Sequence, residues 1–138
     1  MSISYPATFQ TEPTGGFCVQ FVDLAEAFTE GNSMEEALFN AAEVLTLTLQ
    51  GRIDEGQAIP EPSLNVAGAH YVSPDAKTQA VLLLRHARGT RTLADLARAL
   101  NTSWPQVKRL EDPRHWPSLK TLDRAASVLG KRLVLTLE

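Results

Sequence analysis

The sequence predicts an α+β chain: a small N-terminal sheet with one packed helix, then an all-α part that ends in a strand. Three observations point there. The chain opens with alternating runs around Pro13-Thr-Gly-Gly16, the period and turn chemistry of strands. A long apolar stripe at helical spacing follows, from Met34 to Leu49. From Asp75 onward four successive segments repeat apolar residues at helical spacing, and a run rich in β-formers, Arg132-Leu-Val-Leu-Thr-Leu-Glu138, closes the chain. The boundary is expected at Ser73-Pro74, giving domains 1–72 and 73–138.

Tyr5–Glu12 alternates weakly. Phe17–Val22 alternates clearly, with Phe17, Val19 and Phe21 on one face, so the two runs read as a β-hairpin. The lone cysteine, Cys18, excludes an intrachain disulfide, and within this apolar run it reads as a small buried hydrophobe. Asp23–Ala27 is a connector to a short strand at Phe28–Gly31. Ser33-Met-Glu-Glu36 has the spacing of a capping box, and Glu35 and Glu36 suit the positive end of a helix dipole. The helix predicted there carries Met34, Ala37, Leu38, Ala41, Leu45 and Leu49 inward and ends near Gly51. Ile59-Pro-Glu-Pro-Ser63 is excluded from a helix, and Ala69–Val72 is expected to return to the sheet.

In the second half, Asp75–Arg88 turns Ala76, Ala80, Val81, Leu83, Leu84 and Ala87 to one side, and Gly89 ends that helix. Thr92 caps the next, whose stripe is Leu93, Leu96, Ala97 and Leu100. Asn101 follows, a residue that tolerates the left-handed conformation of a tight helix exit. Ser103-Trp-Pro-Gln106 has capping-box spacing with proline in the first turn, and Val107 and Leu110 face inward. Ser118 caps a fourth helix with Leu119, Leu122, Ala125, Ala126 and Leu129 inside and Gly130 at its exit.

The net charge of −3 conceals a steep division. Residues 1–72 hold ten acids against Arg52, a net −9, whereas residues 73–138 carry +6. Such an asymmetry predicts two halves that meet partners of opposite charge. Nothing approaches the run of roughly 18 apolar residues that spans a membrane, and Met1-Ser-Ile-Ser-Tyr-Pro6 lacks the pattern of a secretory signal, so no membrane association and a cytoplasmic location are expected. His70, His86 and His115 are scattered without metal-ligand spacing, and there is no nucleophile motif or Gly-rich phosphate loop. A non-enzyme without cofactor or metal is the expectation.

Thr92 to Glu111 is a helix-turn-helix pattern: two short amphipathic helices crossing at a tight turn, with Ala97 small enough for close approach. Leu96, Leu100, Val107 and Leu110 supply the shared core, which frees the outer face of the second helix for a major groove. Together with Arg109-Leu-Glu111, Pro117-Ser-Leu-Lys-Thr-Leu122 and Leu129-Gly130, the segment resembles the phage-repressor (Cro-like, XRE) helix-turn-helix family over roughly residues 76–131. It departs at Asn101, where glycine is common, and at Trp104-Pro105, where that family often has polar base readers. The resemblance implies operator DNA as a partner, with Ser103, Trp104, Gln106, Lys108 and Arg109 facing outward. Arg109 suits a bidentate contact to guanine, Lys108 guanine or phosphate, and Gln106 adenine. Thr92, Arg114 and Lys120 sit where phosphate contacts are usual, and His115 reads as loop surface. Trp104 is either a hydrophobic clamp on the turn or a contact to a thymine methyl. Such modules usually dimerise over two half-sites, and the last strand, with Leu133, Leu135 and Leu137, is expected to pair with a second copy in a homodimer or higher oligomer.

Gly15–Leu24, followed by Phe28–Ala41 and then by Ile59-Pro-Glu-Pro-Ser63, is similar to the HicB antitoxin domain over roughly residues 3–72. Ala25-Glu-Ala27 replaces the proline, glycine and cysteine usual in that connector. The resemblance implies a truncated ribonuclease-H-like fold and a HicA toxin as partner, a small basic ribonuclease that acts on RNA. Asp23, Glu26 and Glu30, near the sheet edge, are the expected toxin-facing charges. The function expected is an antitoxin that neutralises its toxin and represses its own operon. The competing readings are a free-standing regulator whose N-terminal domain senses a small ligand, and a residual ribonuclease.

Overall fold

Period-two alternation and turn chemistry produce four strands in the computed structural model, which describes residues 2–138: β1 (Tyr5–Thr11), β2 (Phe17–Phe21), β3 (Phe28–Gly31) and β4 (His70–Val72). They form one antiparallel sheet in the order β3-β2-β1-β4. The β1–β2 turn closes with Glu12 N donating to Gly16 O at 2.8 Å and Gly15 N to Glu12 O at 2.9 Å. Gly15 lies at φ +94°, a conformation that disfavours any side chain.

The inner sheet face buries Tyr5, Ala7, Val19, Phe21 and Val72 under α1 (Met34–Asp54). Ser33 caps α1 by accepting from Glu36 N at 3.1 Å. Ala37, Ala41, Leu45 and Leu49, one residue per turn, are the fully buried row of α1. That row is narrower than expected: Leu38 is exposed and Met34 half-buried. The helix also runs past Gly51 to Asp54. Cys18 is exposed, contrary to the expected burial. It alternates with Phe17 and Val19, and only their face is covered by a helix.

Gly31 shows how closely β3 approaches α1. A Cβ there would lie 2.4 Å from Ala37 N and 2.7 Å from Ala37 Cα. Gly31→Ala is therefore expected to destabilise the chain by about 2–3 kcal/mol through overpacking. Gly51→Ala, with nothing within 4 Å of the added carbon, is expected to stabilise it by about 1 kcal/mol through helix propensity. Urea unfolding of the two variants checks the opposite signs.

The remaining helices are α2 (Ala76–Arg88), α3 (Leu93–Leu100), α4 (Trp104–Leu110) and α5 (Leu119–Val128). The chain is thus α+β, with a four-stranded antiparallel sheet and five helices among the described residues. It divides into two compact units, Ser2–Thr78 and Gln79–Glu138, and the division falls within α2. Ala76 is exposed and Leu82 buried, so α2 does not follow the single stripe read from its sequence. The second unit has its own core of Leu84, Leu96, Ala97, Leu100, Val107, Leu110, Ala125 and Leu129. Leu119 is exposed rather than inside, because α5 meets this core only from Leu122 onward. The closing strand is not formed: residues 131–138 carry no strand, and Val134, Leu135 and Leu137 are exposed. A strand exists only through bonds to a neighbouring strand, and this segment has none within the single chain. No helix among the described residues is long and apolar enough to cross a membrane.

Candidate functional sites

In the Gln79–Glu138 unit the geometry is set by caps. Thr92 and Asp95 exchange side-chain-to-backbone bonds, each 3.1 Å, at the start of α3. Asn101 ends α3 in the left-handed region at φ 53° and ψ 50°, with Thr102 N donating to Ala97 O at 3.0 Å. Ser103 then starts α4 by accepting from Gln106 N at 3.4 Å, with Pro105 in the first turn, where its missing N–H costs nothing. Only Thr102 separates the two caps, so α4 must turn sharply from α3, and both helices share the core around Ala97.

Val107 and Leu110 point into that core. Ser103, Trp104, Gln106, Lys108 and Arg109 are exposed together around one seven-residue helix. The Lys108 ammonium lies 5.0 Å from the centre of the Trp104 ring, one turn away. Thr92 lies at the N-terminus of α3 with its hydroxyl used as a cap, Arg114 in the α4–α5 loop, and Lys120 exposed in the first turn of α5, which Ser118 caps. His115 is half-buried in the same loop.

The side chains that brace this surface are ones to which the sequence reading assigned no such role. Glu111, just past α4, takes both arms of Arg88, Nε at 2.6 Å and Nη2 at 2.9 Å, with Arg85 at 3.9 Å. Arg88 also donates to Arg91 O at 2.5 Å. Arg124 of α5 donates to Leu100 O at 3.1 Å, at the C-terminal end of α3. Partners more than 20 residues apart leave no local pattern to read.

In the Ser2–Thr78 unit, Asp23 accepts from Ser63 N at 2.9 Å and from the Ser63 hydroxyl. Tyr5 OH donates to Pro60 O at 2.7 Å, and Tyr71 OH donates to Ser63 O at 2.6 Å. Three side chains thus fasten the proline loop, and Asp23 serves as a clamp within the fold. Burial, followed by the nearby Glu61 and Asp23 carboxylates, pushes the Tyr5 phenol up to about 12.

Glu26 binds Arg52 with both oxygens, at 2.7 and 2.9 Å, while Arg52 reaches Ala58 O at 3.0 Å. The hydrogen bond from Arg52 pulls the Glu26 carboxyl down to about 2, well below its ordinary 4.5. A carboxylate depressed on folding stabilises the fold fully above its unfolded pKa and loses that contribution as pH falls through its folded value. Part of the acid destabilisation between about pH 4.5 and 2 is therefore expected to disappear in Glu26→Gln, by a small amount because the pair is half in solvent. Denaturant unfolding at stepped pH measures it.

Of the three expected toxin-facing acids, Asp23 and Glu26 are engaged inside the unit. Glu30 is exposed on edge strand β3, and its carbonyl accepts from Asn40 Nδ2 of α1 at 2.8 Å. Among the described residues, no three His, Cys, Asp or Glu side chains converge into a group that could hold a metal.

Residues 4–80 match the family of HicB-like antitoxins of bacterial toxin–antitoxin systems. Antitoxin HicB 2 of Photorhabdus laumondii is 35% identical over 136 residues, which cover 97% of this chain and 96% of that protein. Antitoxin HicB 1 of the same organism is 31% identical over 139 residues, covering 99% and 88%. Antitoxin HicB of Escherichia coli K12 is 30% identical over 135 residues, covering 96% and 98%. With a family match over more than half its length and relatives at this identity along nearly all of it, the chain belongs to the HicB antitoxin family of toxin–antitoxin systems.

Proposed function

We propose that the chain binds and neutralises a small, basic HicA-like ribonuclease toxin through its first unit, and represses its own operon by binding operator DNA through its second. The opposed charge of the two units carries this reading. Ser2–Thr78 has a net −9 and Gln79–Glu138 a net +6. A protein that grips RNA must present a basic face, and an acidic domain steers toward it and covers it. A basic unit is attracted to the DNA backbone through the phosphates it neutralises.

In this reading α3 and α4 form a Cro-like helix-turn-helix, and the first unit is a truncated ribonuclease-H-like domain. Ser103, Trp104, Gln106, Lys108 and Arg109 face the major groove, and Thr92, Arg114 and Lys120 meet phosphates. Asp23, Glu26 and Glu30 contribute to the field that draws the toxin. The protein acts in the cytoplasm, without catalysis of its own.

Residues 132–137 pair with the same segment of a second copy, burying Leu133, Leu135 and Leu137 and giving the homodimer two half-sites to read. Deleting residues 132–138 is expected to leave monomers by light scattering; an unchanged dimer would refute this pairing. The antitoxin reading is tested by co-purification with the product of the neighbouring reading frame. A stable complex with a small basic protein is expected. No complex, with operator binding intact, points instead to a free-standing regulator.

A further inference from the structure

Folding accounts for only one side of α1. Its buried row is Ala37, Ala41, Leu45 and Leu49, yet Phe39 and Leu47 are each 66% exposed. Phe39, Glu43 and Leu47 are spaced four apart, so they form one row on the solvent side, and Glu36 lies one turn before Phe39. The Asn40 bond to the backbone carbonyl of Glu30 ties this side of α1 to edge strand β3, whereas the Glu30 side chain, like Phe28, lies on the sheet face away from α1. Residues 30–50 contain no lysine, arginine or histidine, so Glu36 and Glu43 have no cation within their own segment.

We propose that this outer face of α1, with β3 beside it, is the surface that grips the toxin, a proposal that rests on the antitoxin reading above. Phe39 and Leu47 are the apolar anchors, and the carboxylates around them form the polar rim. Charge selects the occupant. DNA and anionic lipid are repelled by these acids, and a symmetric contact with the same face of a second copy would set acid against acid. A basic protein surface carrying apolar side chains fits both features. Because Phe39 and Leu47 lie outside the buried row, their replacement leaves the core of the unit intact.

The test is calorimetric titration of the full chain with the purified toxin from the neighbouring reading frame. Phe39→Ser with Leu47→Ser is expected to weaken the complex at least about thirtyfold, the loss typical of central anchors. The double change should leave operator affinity and the thermal midpoint near wild type. Glu36→Gln with Glu43→Gln is expected chiefly to slow association and to flatten its salt dependence. Phe28→Ser, on the sheet face away from α1 by strand alternation, is expected to leave the affinity within about twofold, as surface changes away from contacts do. Wild-type toxin affinity in the Phe39/Leu47 variant overturns the proposal. So does a change in the oligomeric state of that variant without toxin, which would make the face a contact between copies. If the wild-type chain itself fails to bind the toxin, the antitoxin reading falls and this surface falls with it.

Discussion

Replacing both Lys108 and Arg109 with alanine is expected to weaken operator binding at least about thirtyfold, from about 1–3 kcal/mol for each lost base contact. The fold should not suffer. Val107 and Leu110 hold α4 in the core, whereas Lys108 and Arg109 are exposed. The two single variants separate two kinds of contact. If Arg109 reads guanine, Arg109→Ala relaxes the preference at one base pair. If Lys108 meets a phosphate, Lys108→Ala weakens all sequences alike and lowers the salt slope by about 1. Lys108 stacks on Trp104, so Trp104→Ala should reproduce part of the Lys108→Ala loss. Fluorescence anisotropy with operator duplexes at several salt concentrations measures all of these. Wild-type affinity in the double variant removes α4 as the reading helix.

Glu111→Ala is expected to destabilise the second unit by about 2–3 kcal/mol. The Glu111 side chain is 10% exposed and that of Arg88 19%. Removing the carboxylate leaves the poorly solvated Arg88 guanidinium without its anion, and takes a more distant partner from Arg85, whose side chain is 37% exposed. Breaking a fully buried pair costs about 3–5 kcal/mol, and the residual exposure lowers that figure here. The pair joins the end of α2 to the exit of α4, so operator affinity should fall as well, even though Glu111 lies outside the proposed DNA-facing set. Denaturant unfolding followed by Trp104 and Trp116 fluorescence gives the stability change. A loss under about 0.5 kcal/mol would place the pair among ordinary surface contacts.

What could be read directly in the sequence was local. The hairpin followed from alternation around Pro13–Gly16, the starts of α1, α3, α4 and α5 from Ser33, Thr92, Ser103 and Ser118, and the exit of α3 from Asn101. These signals act over three or four residues. The misreadings came where a second surface decides. Whether Cys18 is inside depends on which sheet face a helix covers, and Leu119 depends on how far α5 overhangs its core. The closing strand needs a partner strand that the single chain does not hold.

The site residues divide in the same way. The outward set on α4 is what the resemblance to the phage-repressor family implies, and those residues are exposed while Val107 and Leu110 face inward. Asp23 and Glu26 looked like surface charges because their partners, Ser63 and Arg52, lie 40 and 26 residues away. The first turn of α2 is tied to α1 by equally distant bonds, Asp75 N to Thr46 Oγ1 at 2.9 Å and Gln50 Nε2 to Thr78 Oγ1 at 3.2 Å. Those bonds give a physical reason for the first unit to extend through Thr78.

The most direct measurement is cleavage of RNA by the purified toxin from the neighbouring reading frame, titrated with this chain. Cleavage should fall linearly and stop at a fixed stoichiometric ratio, and added operator DNA should still be bound by the complex or by the free antitoxin. Undiminished cleavage at a large excess of the chain would contradict neutralisation by the acidic unit.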